Sequence, residues 1–257
     1  MNMIKKVYFI FFLLISIVNQ ISAQEIQPIQ TDRPDQTESP SITPKHQLQM
    51  EIGFVYEQEN IITRNFTHAN VLTKFGLSDR VELRLVTDYG TTQYSYNNSE
   101  SSSSYLSPTL IGCKVAFFDE KGLRPKTSLI LHLGLPFLAN KSFKFDQVFT
   151  TYRFLMQHTL NDKLSLSYNI GAEWDGVSAQ PAGIYTLAMG YGISSKIGSY
   201  IELYGSHQGK TTTHQYDMGF TYLINSDIQL DMSGGFGITK NAPDYFVGCG
   251  ISFRTGH

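Results

Sequence analysis

The chain has few cysteines and a single tryptophan, and it lacks long apolar runs beyond its first residues. Cys113 and Cys249 are its only cysteines, which allows one disulfide at most and excludes a disulfide framework. After residue 23 there is no stretch of 18 apolar residues, so the sequence predicts no membrane-spanning helix there. A net charge of −2 provides no attraction to nucleic acid, and no nucleic-acid partner is expected.

Residues 1–23 have the layout of a secretory signal peptide. Lys5 and Lys6 precede an apolar run from Val7 to Val18, and Ala23 supplies a small residue at the cleavage point. The run is shorter than the roughly 20 residues of a membrane-spanning helix. We therefore expect a cleaved signal peptide and a mature chain of 234 residues (257 minus 23). An uncleaved membrane anchor is the alternative.

Apolar and polar residues alternate along almost all of the remaining chain, which is the periodicity of β-strands. In the first such run, Leu48, Met50 and Ile52 share one face, and Gln49 and Glu51 share the other. We count 12 strands of this kind. Short turns rich in Asn, Asp, Ser and Gly alternate with longer polar connections, at about residues 57–65, 90–105, 136–146, 175–182, 206–213 and 239–243.

Alternation alone fits both a secreted soluble β protein and a membrane β-barrel. Strands of about 9–12 residues, aromatic residues near strand ends, and small and charged residues on the polar face favour the barrel. We therefore predict an all-β, antiparallel, up-and-down transmembrane β-barrel of about 12 strands. Residues 1–23 form the signal peptide, residues 24–45 an N-terminal periplasmic or lumen-plugging segment, and residues 46–257 the barrel. The predicted location is the outer membrane of a Gram-negative bacterium, with membrane lipid and the outer-membrane assembly machinery as partners.

The polar face of such a barrel lines its lumen, so charged residues on that face are the candidate functional residues. By strand parity the lumen-lining candidates are Glu51, Lys74, Glu82, Arg84, Asp88, Lys114, His132, Arg153, Glu173, Glu202, Asp217, Asp231 and Arg254. They form either a polar pathway for a solute or a packed interior in which opposite charges satisfy one another. Twelve strands predict a narrow, partly plugged pore.

The sequence offers no catalytic or metal site, so we expect no enzyme activity and no cofactor. The nearest Ser–His pairing joins His158 to Ser165 or Ser167, and strand parity places these residues on opposite faces. His207 and His214 flank a loop but lack a third metal ligand.

The polar run YSYNNSESSSSY, from Tyr94 to Tyr105, is predicted to be a mobile loop tip at the cell surface. This loop supports the alternative function, a non-transporting surface barrel whose extracellular loops bind a partner.

The stretch from Thr31 to Gly53 resembles the start of a known family. Thr31-Asp32-Arg33-Pro34-Asp35 with Thr37 and Glu38, then Pro44, then Gln49-x-Glu51-x-Gly53, is similar to the TDRPD start of an outer-membrane transporter family labelled "MetA-pathway of phenol degradation". The resemblance implies a channel for passive passage of small solutes, hydrophobic or aromatic ones among them, and it does not identify the solute.

Three prolines, Pro34, Pro40 and Pro44, prevent a regular strand in this stretch. We predict that the segment enters the barrel mouth and that Asp32, Arg33, Asp35 and Glu38 pair with lumen charges such as Arg84, Arg153 or Arg254. The alternative is a loose periplasmic tail.

Overall fold

The computed structural model describes residues 27–97, 99–134, 148–176, 178 and 180–255. The predicted signal peptide and the predicted loop 136–146 lie outside these residues. Both cysteines are free, so the one disulfide that the sequence allowed is not formed. Among the residues that the structure describes, no helix has the length and the hydropathy of a membrane span.

Thirteen antiparallel strands account for most of the described chain, as the two-residue periodicity predicts. They are β1 (Leu48–Gln58), β2 (Thr63–Ser78), β3 (Val81–Tyr96), β4 (Ser99–Leu106), β5 (Leu110–Phe118), β6 (Lys126–Gly134), β7 (Phe149–Thr159), β8 (Leu164–Trp174), β9 (Ala182–Gly192), β10 (Ile197–Gln208), β11 (Thr211–Asn225), β12 (Ile228–Gly237) and β13 (Tyr245–Thr255).

Twelve of these strands form a closed ring. Neighbours in sequence pair with one another, β3 pairs with β5, and β13 returns to pair with β1 from Leu48↔Thr255 to Gln58↔Tyr245. Closure leaves no open edge, which is the condition for a sheet in hydrocarbon, where unpaired backbone groups cannot reach water. The predicted 12-stranded up-and-down barrel is confirmed, with β4 as one additional strand.

The polarity of the ring is inverted relative to a soluble β protein. Large apolar side chains such as Phe54, Leu133 and Met232 are exposed on the outside of the strands. Charged side chains of the opposite parity, among them Glu51 and Lys114, are buried inside. An exposed apolar band around a charged interior is expected of a barrel whose outer surface meets lipid, so the soluble alternative is not supported.

At the rim with the longer connections, the strands are longer than predicted. They continue past the residues in which apolar and polar side chains alternate. The predicted loop 90–105 is a β-hairpin in which β3 and β4 pair from Tyr89↔Leu106 to Tyr96↔Ser99, so the prediction of a loop without strands is wrong here. The predicted connection 206–213 shrinks to residues 209–210, where Gly209 has a positive φ. Backbone hydrogen bonds between strands stabilise these polar extensions. Their side chains do not alternate between apolar and polar, so the sequence pattern does not reveal them.

The chain enters the barrel interior through a tight contact with β2. The N–H of His46 donates to the carbonyl of Gly76, and the N–H of Gly76 donates to the carbonyl of Gln47. A Cβ atom on Gly76 would lie 2.1 Å from the carbonyl oxygen of Pro44, too close for any side chain. Gly76 therefore allows the segment before β1 to turn inward against the wall.

Gly76→Ala is expected to destabilise the folded barrel by about 1–3 kcal/mol, because the new methyl group meets rigid backbone. Gly192→Ala is the matched control, since its Cβ would have no neighbour closer than 3.8 Å. The midpoint of urea unfolding, followed by heat-modifiable migration on a gel, measures both. Equal midpoints for the two variants would contradict this account of the entry turn.

Candidate functional site

The predicted lumen-lining residues occupy the interior of the ring. Ten are buried: Glu51, Lys74, Glu82, Arg84, Lys114, His132, Glu202, Asp217, Asp231 and Arg254. Three are half-buried: Asp88, Arg153 and Glu173. They do not face an empty lumen, because residues 27–44, named here the inner segment, lie among them. Of the motif residues in this segment, Asp32 is buried and Thr31, Arg33, Pro34, Asp35 and Glu38 are half-buried.

Asp32 is the centre of the charge network inside the ring. Its carboxylate accepts from Nζ of Lys114 at 2.9 Å, Nη1 of Arg84 at 2.9 Å and Nζ of Lys74 at 3.0 Å. These three cations project from β5, β3 and β2, and we name them the basic wall. Arg84 also binds Glu38 of the inner segment at 2.6 Å. One wall of the barrel thus holds two carboxylates of the inner segment.

Carboxylates of the wall bind the inner segment in return. Glu51 accepts the backbone N–H groups of Asp32 and Arg33, each at 3.0 Å, and pairs with Lys74 at 2.5 Å. Glu82 accepts both the N–H and the hydroxyl of Thr43 at 2.7 Å. The prolines of the inner segment keep its backbone N–H groups from pairing within a sheet. Buried carboxylates of the wall accept these N–H groups instead.

The ion pairs outweigh burial in setting the charge of Asp32. Burial alone would raise the pKa of its carboxyl, but Lys114, then Lys74 and Arg84, lower the pKa well below its usual value of 3.8. A carboxyl with a lowered pKa stabilises the folded state fully above its ordinary pKa, and this stabilisation is lost as the pH falls through the lowered value. The Asp32 contacts are therefore intact at neutral pH.

The Arg33 side chain packs against two glycines in the β1–β13 wall. Gly53 and Gly250 are register partners, and a Cβ on either would lie within 2.5 Å of an Arg33 side-chain atom. The guanidinium binds Asp231 at 2.9 Å and also donates to the carbonyl of Cys249. This position of Arg33, named here the glycine seat, requires both the carboxylate of Asp231 and the absence of side chains on the two glycines.

The opposite side of the ring carries Glu202 on β10 and Asp217 on β11, named here the acidic wall. Glu202 accepts the N–H of Gln36 at 2.7 Å and the hydroxyl of Thr37 at 2.5 Å. Asp35 lies beside these carboxylates. Burial first, and then Glu202 and Asp217, raise the pKa of Asp35 well above its usual value. The inner segment therefore contacts two walls of opposite charge.

Two separate cavities lie on either side of the inner segment. The outer cavity, about 440 Å³, is floored by residues 32–36 and Glu38 and lies toward the rim of the longer connections. The inner cavity, about 520 Å³, is bounded by residues 27–28, 30 and 41–44 and lies toward the rim of the short turns. No residue lines both cavities. The inner segment thus stands between them.

The charges of the motif do not all meet the expected partners. Arg84 binds Asp32 and Glu38, whereas Arg153 donates to the carbonyl of Gln36 at 3.3 Å. Arg254 pairs with Asp227 and donates to the carbonyl of Gln27.

Neutral residues that also hold the inner segment escaped the sequence prediction. Three of them are Ser128, which donates to the carbonyl of Pro40; Asn169, which binds the backbone of Glu38; and Thr186, which binds Thr37. All three have lumen parity, so parity without regard to charge would have found them.

The histidines considered for catalysis or metal binding have other contacts. His158 stacks on Tyr168 with ring centroids 6.0 Å apart. His207 bonds to Thr212, and His214 bonds to the hydroxyl of Tyr185. Among the described residues, no group of three or more His, Cys, Asp or Glu is arranged to hold a metal ion.

A closed ring of twelve strands, apolar outside and charged inside, with its own N-terminal segment between two lumen cavities, is a plugged barrel of the outer-membrane type. The chain belongs to the family described as "Putative MetA-pathway of phenol degradation", which matches residues 31–255. This match confirms the resemblance that the TDRPD motif indicated.

Solved structures share the fold at low sequence identity. An outer membrane channel from Pseudomonas putida F1 superposes with a TM-score of 0.67 at 12% identity, over 86% of this chain and 100% of that one. The NanC porin gives 0.53 at 9% identity, over 80% of this chain and 98% of that one. The KdgM porin, solved in complex with disordered oligogalacturonate, gives 0.52 at 10%, over 80% and 99%. No curated protein matches the chain.

Asp32→Asn is expected to destabilise the inner segment by about 3–5 kcal/mol, because three buried cations lose their shared carboxylate. Protease cleavage of the segment in folded, detergent-solubilised protein measures its release. Asp119→Asn is the control, since it removes a carboxylate whose partner Arg80 is also exposed, and such pairs contribute about 0–1 kcal/mol. Equal protease resistance of the two variants would show that Asp32 does not hold the segment.

Gly53→Ala is expected to displace Arg33 from the buried Asp231, because the new methyl group meets the end of a flexible side chain. Its protease sensitivity in the inner segment and its unfolding midpoint should both equal those of Arg33→Ala, since each variant leaves Asp231 without its cation. Gly183→Ala is the control, with 3.9 Å to the nearest atom. Protease resistance unchanged in Gly53→Ala would argue against the glycine seat.

Proposed function

We propose that this protein is a passive channel of the outer membrane for small solutes, and that the inner segment is its plug. The observation that carries the proposal is the pair of cavities on the two sides of one segment inside a closed ring. Among the described residues, the inner segment lies between the outer cavity and the inner one. Movement of that segment is then the step that connects the two sides.

The fold family supports transport over catalysis. The chain shares its architecture with an outer membrane channel and with two porins, and no catalytic role is proposed for it. We further propose that residues 1–23 are a cleaved signal peptide, that the barrel is inserted into the outer membrane of a Gram-negative bacterium by the assembly machinery, and that lipid surrounds its apolar belt.

The outer cavity supports small solutes with an apolar or aromatic part. Part of its lining is apolar or ring-bearing: Val55, Leu72, Val86, Tyr105, Tyr204 and Phe246. Its volume of about 440 Å³ lies within the range of about 300–1,000 Å³ found for small-molecule sites. The label of the family, a phenol degradation pathway, agrees with such solutes and does not name one.

The charges of the outer cavity favour neutral or cationic solutes over anions. Arg33 and Arg84 are paired with carboxylates, which leaves Arg153 as the lining cation without a carboxylate partner among the described residues. Within the described chain Asp88 and Glu57 have no cation in an ion pair, and their carboxylates accept from the neutral amides of Asn70 and Asn65. Uncompensated negative charge at a mouth repels anions.

A second candidate function rests on the β3–β4 hairpin. Beyond Tyr89, β3 pairs with β4, and within the described chain β4 has β3 as its sole strand partner. A strand edge of this kind can pair with an extended segment of another protein. In this alternative the barrel only displays the hairpin, and nothing crosses it.

Liposome swelling with uncharged solutes and single-channel recording separate the two functions. We expect a small flux for the full-length protein and a larger one after deletion of residues 24–44. Deletion of residues 91–104, which removes the hairpin, should leave the flux in place. A barrel that passes no solute even without residues 24–44 would overturn the channel proposal and leave the display function.

A further inference from the structure

The acidic wall lacks the counter-charges found elsewhere in the lumen. Glu202 and Asp217 are direct cross-strand partners and are 1% and 0% exposed. In the described chain, no Lys, Arg or His lies within ion-pair distance of Glu202, Asp217 or Asp35. The basic wall, by contrast, pairs each of its cations with carboxylates. The two buried carboxylates of the acidic wall therefore lack the ion pairs that the basic wall has.

A buried carboxylate oxygen in this wall has no partner. Among the residues that the structure describes, Oδ1 of Asp217 has no hydrogen-bond partner, and Oδ2 accepts a hydrogen bond from the hydroxyl of Tyr200 at 3.3 Å. Leaving an ionised, half-satisfied carboxylate beside another carboxylate in a buried site is strongly unfavourable. A proton held between Glu202 and Asp217 removes one negative charge and gives the free oxygen a partner.

The tip of the inner segment, residues 34–37, rests on this wall. Gln36 and Thr37 donate to Glu202, and Asp35 adds a third carboxylate next to the pair. The groups around Asp35 are Glu202 with Tyr200 and Tyr204 on β10, Asp217 on β11, and Asp32 and Arg33 on the segment itself. Arg153 of β7 binds the neighbouring carbonyl of Gln36 and no carboxylate. Asp35 thus faces mostly like charge.

We propose that protons shared among Asp35, Glu202 and Asp217 hold the tip of the inner segment against the acidic wall, and that their loss releases the tip and connects the two cavities. This inference rests on the proposed channel function, because it supplies the event that opens the plug. The rest of the segment stays bound to the basic wall, whose ion pairs do not depend on these protons.

The direction of the pH response follows from linkage. In the bound position the pKa of Asp35 is raised, first by burial and then by Glu202 and Asp217, whereas a released tip would regain the ordinary value of 3.8. The bound position therefore binds more protons and is favoured as the pH falls. Release increases as the pH rises from 3.8 to the raised pKa and is constant above it. Asp32 responds only below 3.8, so its titration does not overlap with this window.

A spin label on the tip tests the switch without any need for solute flux. Gln36 is exposed and can carry the label as Gln36→Cys in a background with Cys113→Ala and Cys249→Ala. A difference of one in pKa between the bound and released positions changes the ratio of released to bound tip about tenfold, so the ratio of mobile to immobile label should increase by about that factor or more as the pH is raised. A mobile fraction that is constant, or that increases on acidification, would overturn the proposal.

Three variants identify the groups responsible. Asp35→Asn should keep the label immobile at every pH, because the tip then loses its repulsion. Asp217→Asn, which changes a wall residue that does not bind the tip, should flatten the response. Asp119→Asn, at an exposed carboxylate, should leave the response unchanged. A response that persists in both Asp35→Asn and Asp217→Asn would overturn the assignment.

Single-channel recording over the same pH range separates this proposal from the channel function. If label mobility follows the predicted titration and the full-length protein shows no conductance at any pH, the switch stands and the channel function fails. If the deletion conducts and the label does not respond to pH, the channel function stands and the switch fails.

Discussion

The buried carboxylate of Asp32, surrounded by three cations from three strands, is the interaction on which the rest of the interior depends. A sheet closed in lipid turns its polar face inward, and twelve strands enclose more space than their own side chains fill. The lumen cations Lys74, Arg84 and Lys114 outnumber the two wall carboxylates that pair with them, Glu51 and Glu82, so they need a further partner. Asp32 supplies it from the N-terminal segment, so the segment is required to balance the charge of the barrel and to fill it.

The same segment meets two different chemical surfaces. Toward the basic wall its contacts are ion pairs, which persist at neutral pH because the pKa of Asp32 is lowered. Toward the acidic wall its contacts are the hydrogen bonds from Gln36 and Thr37 to Glu202, made beside carboxylates without cations. A permanent anchor on one side and a weaker, proton-dependent contact on the other would allow the tip to move while the remainder stays in place. That arrangement suits a channel that opens without losing its plug.

The barrel could be predicted from the sequence because period-two alternation and turn chemistry repeat along the chain. Parity also placed Glu51, Lys114 and Asp217 inside, since one face of a closed sheet must be polar. The hairpin of β3 and β4 could not be predicted, because serine-rich strands that meet water on both faces have no alternation. Bulges are equally invisible: the register shift between Thr67 and Ala69 leaves His68 exposed, although strict alternation with Asn70 places it inside.

For the inner segment too, the sequence predicts the kind of structure but not its contacts. Its prolines and charges indicated a non-strand segment that pairs with the lumen, and the TDRPD motif indicated the family. Which residues pair was beyond the sequence, because it depends on how the chain turns at Gly76 and which wall each residue then faces. Arg33 meets Asp231 only because Gly53 and Gly250 leave space for it, and no pattern of charge contains that information.

A disulfide between the inner segment and the wall tests the central claim directly. The hydroxyl oxygens of Thr37 and Thr186 are 2.7 Å apart, so Thr37→Cys and Thr186→Cys in a background without Cys113 and Cys249 place two thiols in contact. We expect the folded protein in liposomes to form this disulfide under mild oxidation, to lose solute flux when it forms and to regain flux on reduction. Failure of the two cysteines to cross-link in a folded barrel, or an unchanged flux after complete cross-linking, would contradict the account of the segment as a plug held inside the ring.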